Sequence, residues 1–229
     1  MFILSIISSF FISKKKKYTE DSKYYRFLLY ACTKIVLFVA RIKYKVTGLE
    51  KIPTDSRFLL VENHRANFDP IITWDIINKL NNPKANLTYI SKPENFKYLV
   101  FGKILHRCCF LPIDRENPRS SMRTLMEAAD FIKQDKFSVC VYPEGTRNKT
   151  DEPLLEFHNG LFKIAQMAKV PIVIATVKNS EQLMKNFPFK KTVMQFDVLD
   201  VLPTDKVIEY KTNEIGEYVR EVMLKNLES

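Results

Sequence analysis

Glycine is scarce, at 5 of 229 residues, and there is a single tryptophan. The few glycines never line up as G-x-x-x-x-G-K-[ST] or G-x-G-x-x-G, so the phosphate-cradling loops of P-loop and dinucleotide-binding proteins are absent. No serine sits in a G-x-S-x-G turn, which removes the nucleophile of an α/β-hydrolase mechanism. Only four cysteines occur, Cys32, Cys108, Cys109 and Cys140. Their spacing suits neither zinc nor a disulfide framework, so they are expected as buried free thiols in a reducing compartment. There is no internal repeat and no low-complexity linker. The apolar opening, MFILSIISSFFIS, stops after 13 residues, short of the ~20 that a bilayer-spanning helix needs.

What is present is a globular composition, 46% hydrophobic and 27% charged, in a chain long enough for one large domain with a real core. The formal charge is +10, and +8 of it lies in residues 1–51, where eleven Lys and Arg face three acids. A basic arm therefore precedes a nearly balanced body. The opening run is followed at once by Lys14–Lys17. Charge after the apolar stretch is the wrong order for a secretory signal but suits a segment dipping into one leaflet. KYYRFLLYACTKIVLFVARIKYK follows, apolar apart from spaced bases. Read as one helix, it gathers Lys23, Arg26, Lys34, Arg41 and Lys45 within an arc of about 100°. That pattern predicts a helix lying in a membrane interface, basic side toward the lipid phosphates; the alternative is an amphipathic helix docked on the core. Residues 1–46 are thus expected as membrane-associating helices and 47–229 as the functional domain.

Beyond residue 47 short apolar strands alternate with helical segments. SRFLLVEN, NLTYIS, CCFLPID, FSVCVYPEG, VPIVIATVKN and TVMQFDVLDVLP read as strands. DPIITWDIINKL, ENFKYLVFGKIL, RSSMRTLMEAADFIKQDK, GLFKIAQMAK and the last 18 residues read as helices. This predicts an α/β fold, a mixed central sheet flanked by helices. Ligands in such folds bind at loops that follow strands, and three candidate segments fall there: 63–69, 113–115 and 143–147.

His64 follows a strand and Asp69 opens a helix with Pro70 next. A turn between them can return the carboxylate to the imidazole. Asp on one ring nitrogen fixes the tautomer and makes the other nitrogen a general base. Equally, Asp69 could cap its helix while His64 is a polar loop residue. Arg115 ends PIDR, and Glu144, Gly145, Thr146 and Arg147 form EGTR. Two guanidiniums in neighbouring loops suit a phosphate monoester, and Gly145 permits a sharp turn. Glu144 could lock a guanidinium, contact an acceptor hydroxyl, or make a surface ion pair. His106 and His158 lack a carboxylate at comparable spacing and are assigned to structure or surface. A histidine base without a protein nucleophile points to a hydroxyl of the substrate as the nucleophile.

In order along the chain, NHRANFD (Asn63, His64, Asp69), FLPIDR (Arg115), YPEGTR (Glu144, Gly145, Thr146, Arg147) and VPIVIATV resemble the four motifs of the glycerolipid acyltransferase family, of the bacterial 1-acyl-glycerol-3-phosphate acyltransferase type. TGLEKIP before them and the F-x-x-G at Phe157 and Gly160 also fit. The chain departs from the family pattern at Arg65-Ala66, at the His158-Asn159 pair and at Ile174-Ala175. The resemblance implies direct acyl transfer from an acyl-CoA or acyl-carrier-protein thioester, with no cofactor, to the hydroxyl of lysophosphatidic acid, giving phosphatidic acid. His64 and Asp69 would be catalytic, and Asn63, Arg115, Glu144, Gly145, Thr146 and Arg147 would bind substrate. Backbone amides near the first motif would stabilise the oxyanion. It implies membrane lipids as partners and the cytoplasmic face of a bacterial cell membrane as the location. Another lysophospholipid or glycerol-3-phosphate as acceptor is the alternative. A non-catalytic lipid-binding protein is the reading of another class. Nucleic acid is not an expected partner, because the charge lies beside apolar runs.

Overall fold

The computed structural model describes all 229 residues. Seven strands form one sheet in the order β1-β7-β6-β2-β5-β3-β4. They are β1 (Ile42–Thr47), β2 (Leu59–Glu62), β3 (Leu87–Ser91), β4 (Leu111–Pro112), β5 (Ser138–Val141), β6 (Ile172–Lys178) and β7 (Thr192–Leu202). All neighbouring pairs are parallel except β6 with β7. The sheet is therefore mixed, as the sequence predicts. Both faces are covered, which is why β2 and β5 are apolar almost without interruption and wholly buried. Alternation along the pleat shares them between two cores. Leu60 and Cys140 face one side, with Trp74 and Leu29. Leu59, Val61 and Val139 face the other, with Phe131, Ile164 and Val219. Each large aliphatic side chain so buried contributes about 1.5–3 kcal/mol.

The first core is roofed by α2 (Lys23–Val39), α3 (Asp69–Asn78) and α4 (Phe101–Arg107); the second by α5 (Pro118–Lys133), α6 (Lys163–Ala168) and α9 (Thr212–Leu227). Short helices α7 (Leu183–Asn186) and α8 (Thr204–Glu209) complete the body, and α1 (Phe2–Ser9) lies outside it against α2.

The arm departs from the predicted single basic helix. α2 stops at Val39, and Arg41 turns the chain with a left-handed φ of 54°. Residues 42–47 then become β1, an edge strand with alternating exposure, so a boundary at residue 46 falls inside the sheet. Arg26 is buried: its guanidinium donates to Leu87 O at 2.8 Å, pairs with Asp21 and lies 4.9 Å from the Trp74 ring. Lys34 pairs with Asp75 of α3 at 3.2 Å. The helical-wheel stripe fails because the alternating IKYKVT finds a strand partner in β7. Lys43 and Lys45 instead guard the sheet edge.

α1 is amphipathic with its sides exchanged. Ser5, Ser8 and Ser9 face the protein, with Ser8 Oγ 2.6 Å from Tyr24 Oη, while Ile3, Ile6, Ile7 and Phe10 face outward. No helix is long and apolar enough to cross a membrane.

Candidate active site

Because β2, β4 and β5 run parallel, the loops leaving their carboxyl ends open on the same end of the sheet. These loops carry the predicted residues.

His64 is fixed through its main chain first. Its N–H donates to Glu144 Oε1 at 2.7 Å and its carbonyl accepts from the Asn148 N–H at 2.7 Å. Its ring stacks on Tyr142 with centroids 4.3 Å apart and planes 27° apart. Nδ1 lies 3.0 Å from Asp69 Oδ2. A carboxylate can only accept, so Nδ1 carries the hydrogen and Nε2 keeps its lone pair. Asp69 is fully buried at the start of α3, and the same Oδ2 accepts from the Arg65 and Ala66 amides at 2.7 and 2.8 Å. Three donors on one oxygen hold it against the imidazole. The carboxylate does not cap its own helix, whose N-cap is Phe68, so the capping role that the sequence left open is not taken up. It reaches back into the preceding turn, where amides at 65 and 66 outnumber what a first-turn N–H would offer.

Glu62, just before Asn63, is also fully buried. Its Oε2 accepts from Thr73 Oγ1 at 2.6 Å, and Oε1 has no partner. Burial, with the nearby Asp69 charge added, pushes its pKa well above the usual carboxylate range. The neutral acid is therefore favoured at Glu62, beside the histidine–aspartate pair.

Two predicted substrate-binding residues are turned inward. Asn63 is wholly buried, and its side chain donates to Val177 O at 3.0 Å and accepts from Val177 N at 2.7 Å. An amide side chain mimics a peptide group, so Asn63 extends the β2–β6 ladder past the last strand residue. Glu144 spends Oε1 on the His64 amide and Oε2 on the Leu155 amide at 2.9 Å. Neither guanidinium nor hydroxyl engages it. Burial raises its pKa, opposed by those two amides.

Gly145 turns with φ 68°, and a Cβ there would meet the His158 ring at 2.5 Å. His158 Nε2 and Arg115 Cζ lie 2.7 and 3.5 Å from that same point. Arg115 and His158 therefore flank one turn. His158, assigned to structure or surface from sequence, stands at the site. Its one readable signal is its place in the F-x-x-G segment beside the basic loop. Desolvation of its guanidinium end lowers the Arg115 pKa, although the residue is exposed overall, and Glu94 opposes the shift. Arg115, Thr146 and Arg147 make no side-chain hydrogen bond or ion pair within the protein, so two guanidiniums are free to take an anion.

Sequence reasoning also missed Tyr142, the ring under His64, and Asn148, which is buried and whose Nδ2 donates to Glu152 O at 2.7 Å. Arg65, where the chain departs from the family pattern, donates to Glu152 O at 2.9 Å and Thr150 O at 3.3 Å. It sews the histidine loop to the glutamate loop. His106 does serve structure, with Nε2 2.8 Å from Lys16 O.

A cleft of about 380 Å³ meets the histidine loop at Phe68. It is lined only by apolar side chains, among them Phe2, Val39, Phe68, Leu183 and Phe187. Phe68 immediately precedes Asp69, so the cleft starts at the histidine loop.

A family model described as Acyltransferase matches residues 43–178. The chain is 28% identical over 186 residues to a 1-acyl-sn-glycerol-3-phosphate acyltransferase of Saccharomyces cerevisiae, covering 80% of this chain and 59% of that protein. It is 30% identical over 185 residues to a probable 1-acyl-sn-glycerol-3-phosphate acyltransferase of Mycoplasma pneumoniae, covering 79% of this chain and 67% of the relative. The chain thus spans about three fifths to two thirds of the length of these relatives. Among solved structures, the 1-acyl-sn-glycerophosphate (LPA) acyltransferase PlsC of Thermotoga maritima is similar, with a TM-score of 0.70. The match covers 98% of this chain and 86% of that one at 20% identity, a likeness of fold.

Proposed function

The chain belongs to the acyltransferase family, and on that premise we propose that it transfers a fatty acyl group from a thioester to the free hydroxyl of 1-acyl-sn-glycerol-3-phosphate, giving phosphatidic acid. The observation that carries this reading is the His64–Asp69 contact at 3.0 Å beside arginines that no protein group engages.

The chemistry uses groups already in place. His64 Nε2 takes the proton of the glycerol hydroxyl as the oxygen attacks the thioester carbonyl carbon. Asp69 steadies the imidazolium that forms. The carbon–sulfur bond breaks, and the departing sulfur recovers the proton from His64. No covalent acyl-enzyme is required, in keeping with the absence of a protein nucleophile. Arg115 and Arg147 hold the acceptor's phosphate, and His158 adds a ring nitrogen beside Arg115. The apolar cleft beginning at Phe68 suits an acyl tail.

The arm supports work at a membrane surface. α1 presents Ile3, Ile6, Ile7 and Phe10 outward, and Phe38 of α2 is 85% exposed. Lys14–Lys17 follow α1 closely. An apolar face this large costs stability in water and gains it in lipid. The four free thiols, and the cytosolic supply of CoA and carrier-protein thioesters, favour the cytoplasmic side.

The test is an acyl-transfer assay on an acceptor panel of lysophosphatidate, other lysophospholipids, glycerol-3-phosphate and monoacylglycerol, with CoA and carrier-protein donors in parallel. Lysophosphatidate is expected to be turned over fastest, with transfer lost in His64→Ala. Faster transfer to an acceptor without a phosphate monoester would overturn the reading.

A further inference from the structure

Residues Lys97–Phe101 join a short 3-10 turn, Pro93–Phe96, to the start of α4. They form an outward bend that the membrane reading of the arm does not use. Tyr98 is 62% and Leu99 72% exposed, and Phe101 is exposed as well. Val100 between them packs on the core. The bend is pinned: a Cβ on Gly102 would lie 2.5 Å from Phe96 O, so backbone meets backbone there. Three large apolar side chains are thus held out into solvent by a turn that cannot fold them back.

The bend also touches the arm. Lys14 Nζ donates to Phe96 O at 3.1 Å, Lys103 Nζ donates to Ser9 O at 3.1 Å, and Lys103 lies 5.8 Å from the Phe10 ring centre. These contacts hold the arm beside the bend, so exposed apolar side chains stand on two neighbouring segments. Lys14 touches the bend and the exposed Lys92 and Lys97 lie on either side of it in sequence, whereas Lys17 pairs with Glu127 of α5 at 3.0 Å. On its other side, Glu94 in the same turn lies close enough for its charge to act on Arg115.

We propose that residues 98–101 are a second membrane-inserting lip. It seats in an anionic phospholipid bilayer and lies between the lipid and Arg115. This rests on the membrane reading of the arm and extends it. The occupant is a bilayer because the side chains are large, apolar and flanked by Lys14, Lys92 and Lys97, the arrangement that matches acyl chains below anionic headgroups. The lip gives the acceptor a route into the site in which its acyl chain stays in lipid while its phosphate reaches Arg115.

The test uses the full chain, with its sole tryptophan, Trp74, 3% exposed and inside the core as background. Leu99→Trp reports on the lip and Ile3→Trp on the arm, with phosphatidylglycerol-containing vesicles whose acyl chains carry bromine quenchers. Both introduced indoles are expected to be quenched at least about twofold relative to Trp74. Quenching at residue 3 with none at residue 99 overturns the lip and leaves the arm reading intact. Quenching at neither overturns both. Tyr98→Ser/Leu99→Ser is expected to raise KM about tenfold for vesicle-borne lysophosphatidate. It should leave turnover of a short-chain soluble acceptor unchanged. Equal loss on both acceptors overturns the proposal. So does an indole at position 99 that is shielded from an aqueous quencher by a soluble protein and not by vesicles.

Discussion

Glu144 holds His64 by the main chain: its Oε1 accepts the His64 amide at 2.7 Å while Oε2 accepts the Leu155 amide at 2.9 Å. Replacing it by Gln turns one acceptor into an NH₂ that confronts an amide donor. A buried donor left unsatisfied costs about 1–3 kcal/mol. Glu144→Gln is therefore expected to lower the melting temperature and kcat together, for every acceptor alike. A raised KM for phosphorylated acceptors at unchanged melting temperature would instead make Glu144 a substrate contact.

Asp69→Asn separates the two duties of Asp69. The Asn carbonyl oxygen can still accept from the Arg65 and Ala66 amides, so the turn persists. That same oxygen also keeps His64 Nδ1, while the NH₂ takes the place of Oδ1, which is buried without a partner; what is lost is the negative charge that steadies the imidazolium. Transfer is expected to fall about 10³–10⁴-fold with little change in melting temperature. His64→Ala should fall at least as far while still binding lysophosphatidate, as read by equilibrium binding.

Arg115→Ala and Arg147→Ala should each raise KM for lysophosphatidate about 10–100-fold, since a charge-assisted hydrogen bond contributes about 1.5–3 kcal/mol. kcat should change less, and monoacylglycerol turnover should not change. His158→Phe keeps a ring against Gly145 and loses the nitrogen, so it is expected to raise KM without unfolding the turn. His158→Lys should recover part of the loss. Wild-type kinetics in His158→Phe would leave the histidine a packing role only.

Glu62 gives a pH signature. In the unfolded chain it releases its proton above about pH 4.3, whereas in the native site its pKa is well above that. The native state binds more protons across this window. The stabilisation is complete below the unfolded pKa and is lost as pH rises toward the folded one, by up to about 1.4 kcal/mol per pH unit. Glu62→Gln stays neutral and can still accept from Thr73. Its melting temperature is expected to exceed wild type at pH 7–8 and to converge with it below pH 4. A constant offset across that range would remove the protonation argument.

The parts of the fold that sequence made legible are those whose pattern has one physical solution. FLLV and SVCV are apolar almost without break, and a doubly covered parallel strand satisfies that. α5 shows a clean helical period, and the helix read from Arg119 begins one residue earlier, at Pro118 after the Asn117 cap. IKYKVT misleads because two periods compete. Its bases continue the stripe of α2, yet its alternation belongs to a strand, and pairing with β7 decides the matter. At the site, the histidine and aspartate were readable because a short turn at that spacing can bring them together. The inward turn of Asn63 and Glu144 was not, since polar residues in a motif advertise the substrate and the scaffold equally. Their partners, Val177 and Leu155, are engaged through backbone groups that leave no trace in side-chain identity.

The exchanged sides of α1 carry one more consequence. Its grip on α2 runs through hydroxyls, Ser8 to Tyr24 at 2.6 Å and Tyr25 to the Ser8 carbonyl at 2.9 Å. In buffer, water competes for the exposed Tyr24 end of this grip, and the hairpin is at its loosest. Once hydrocarbon surrounds the outer face, that competition ends and the same contacts strengthen. On the membrane reading proposed above, the protein would be held together most tightly in lipid, and transfer into detergent-free solution should loosen the hairpin before it disturbs the sheet.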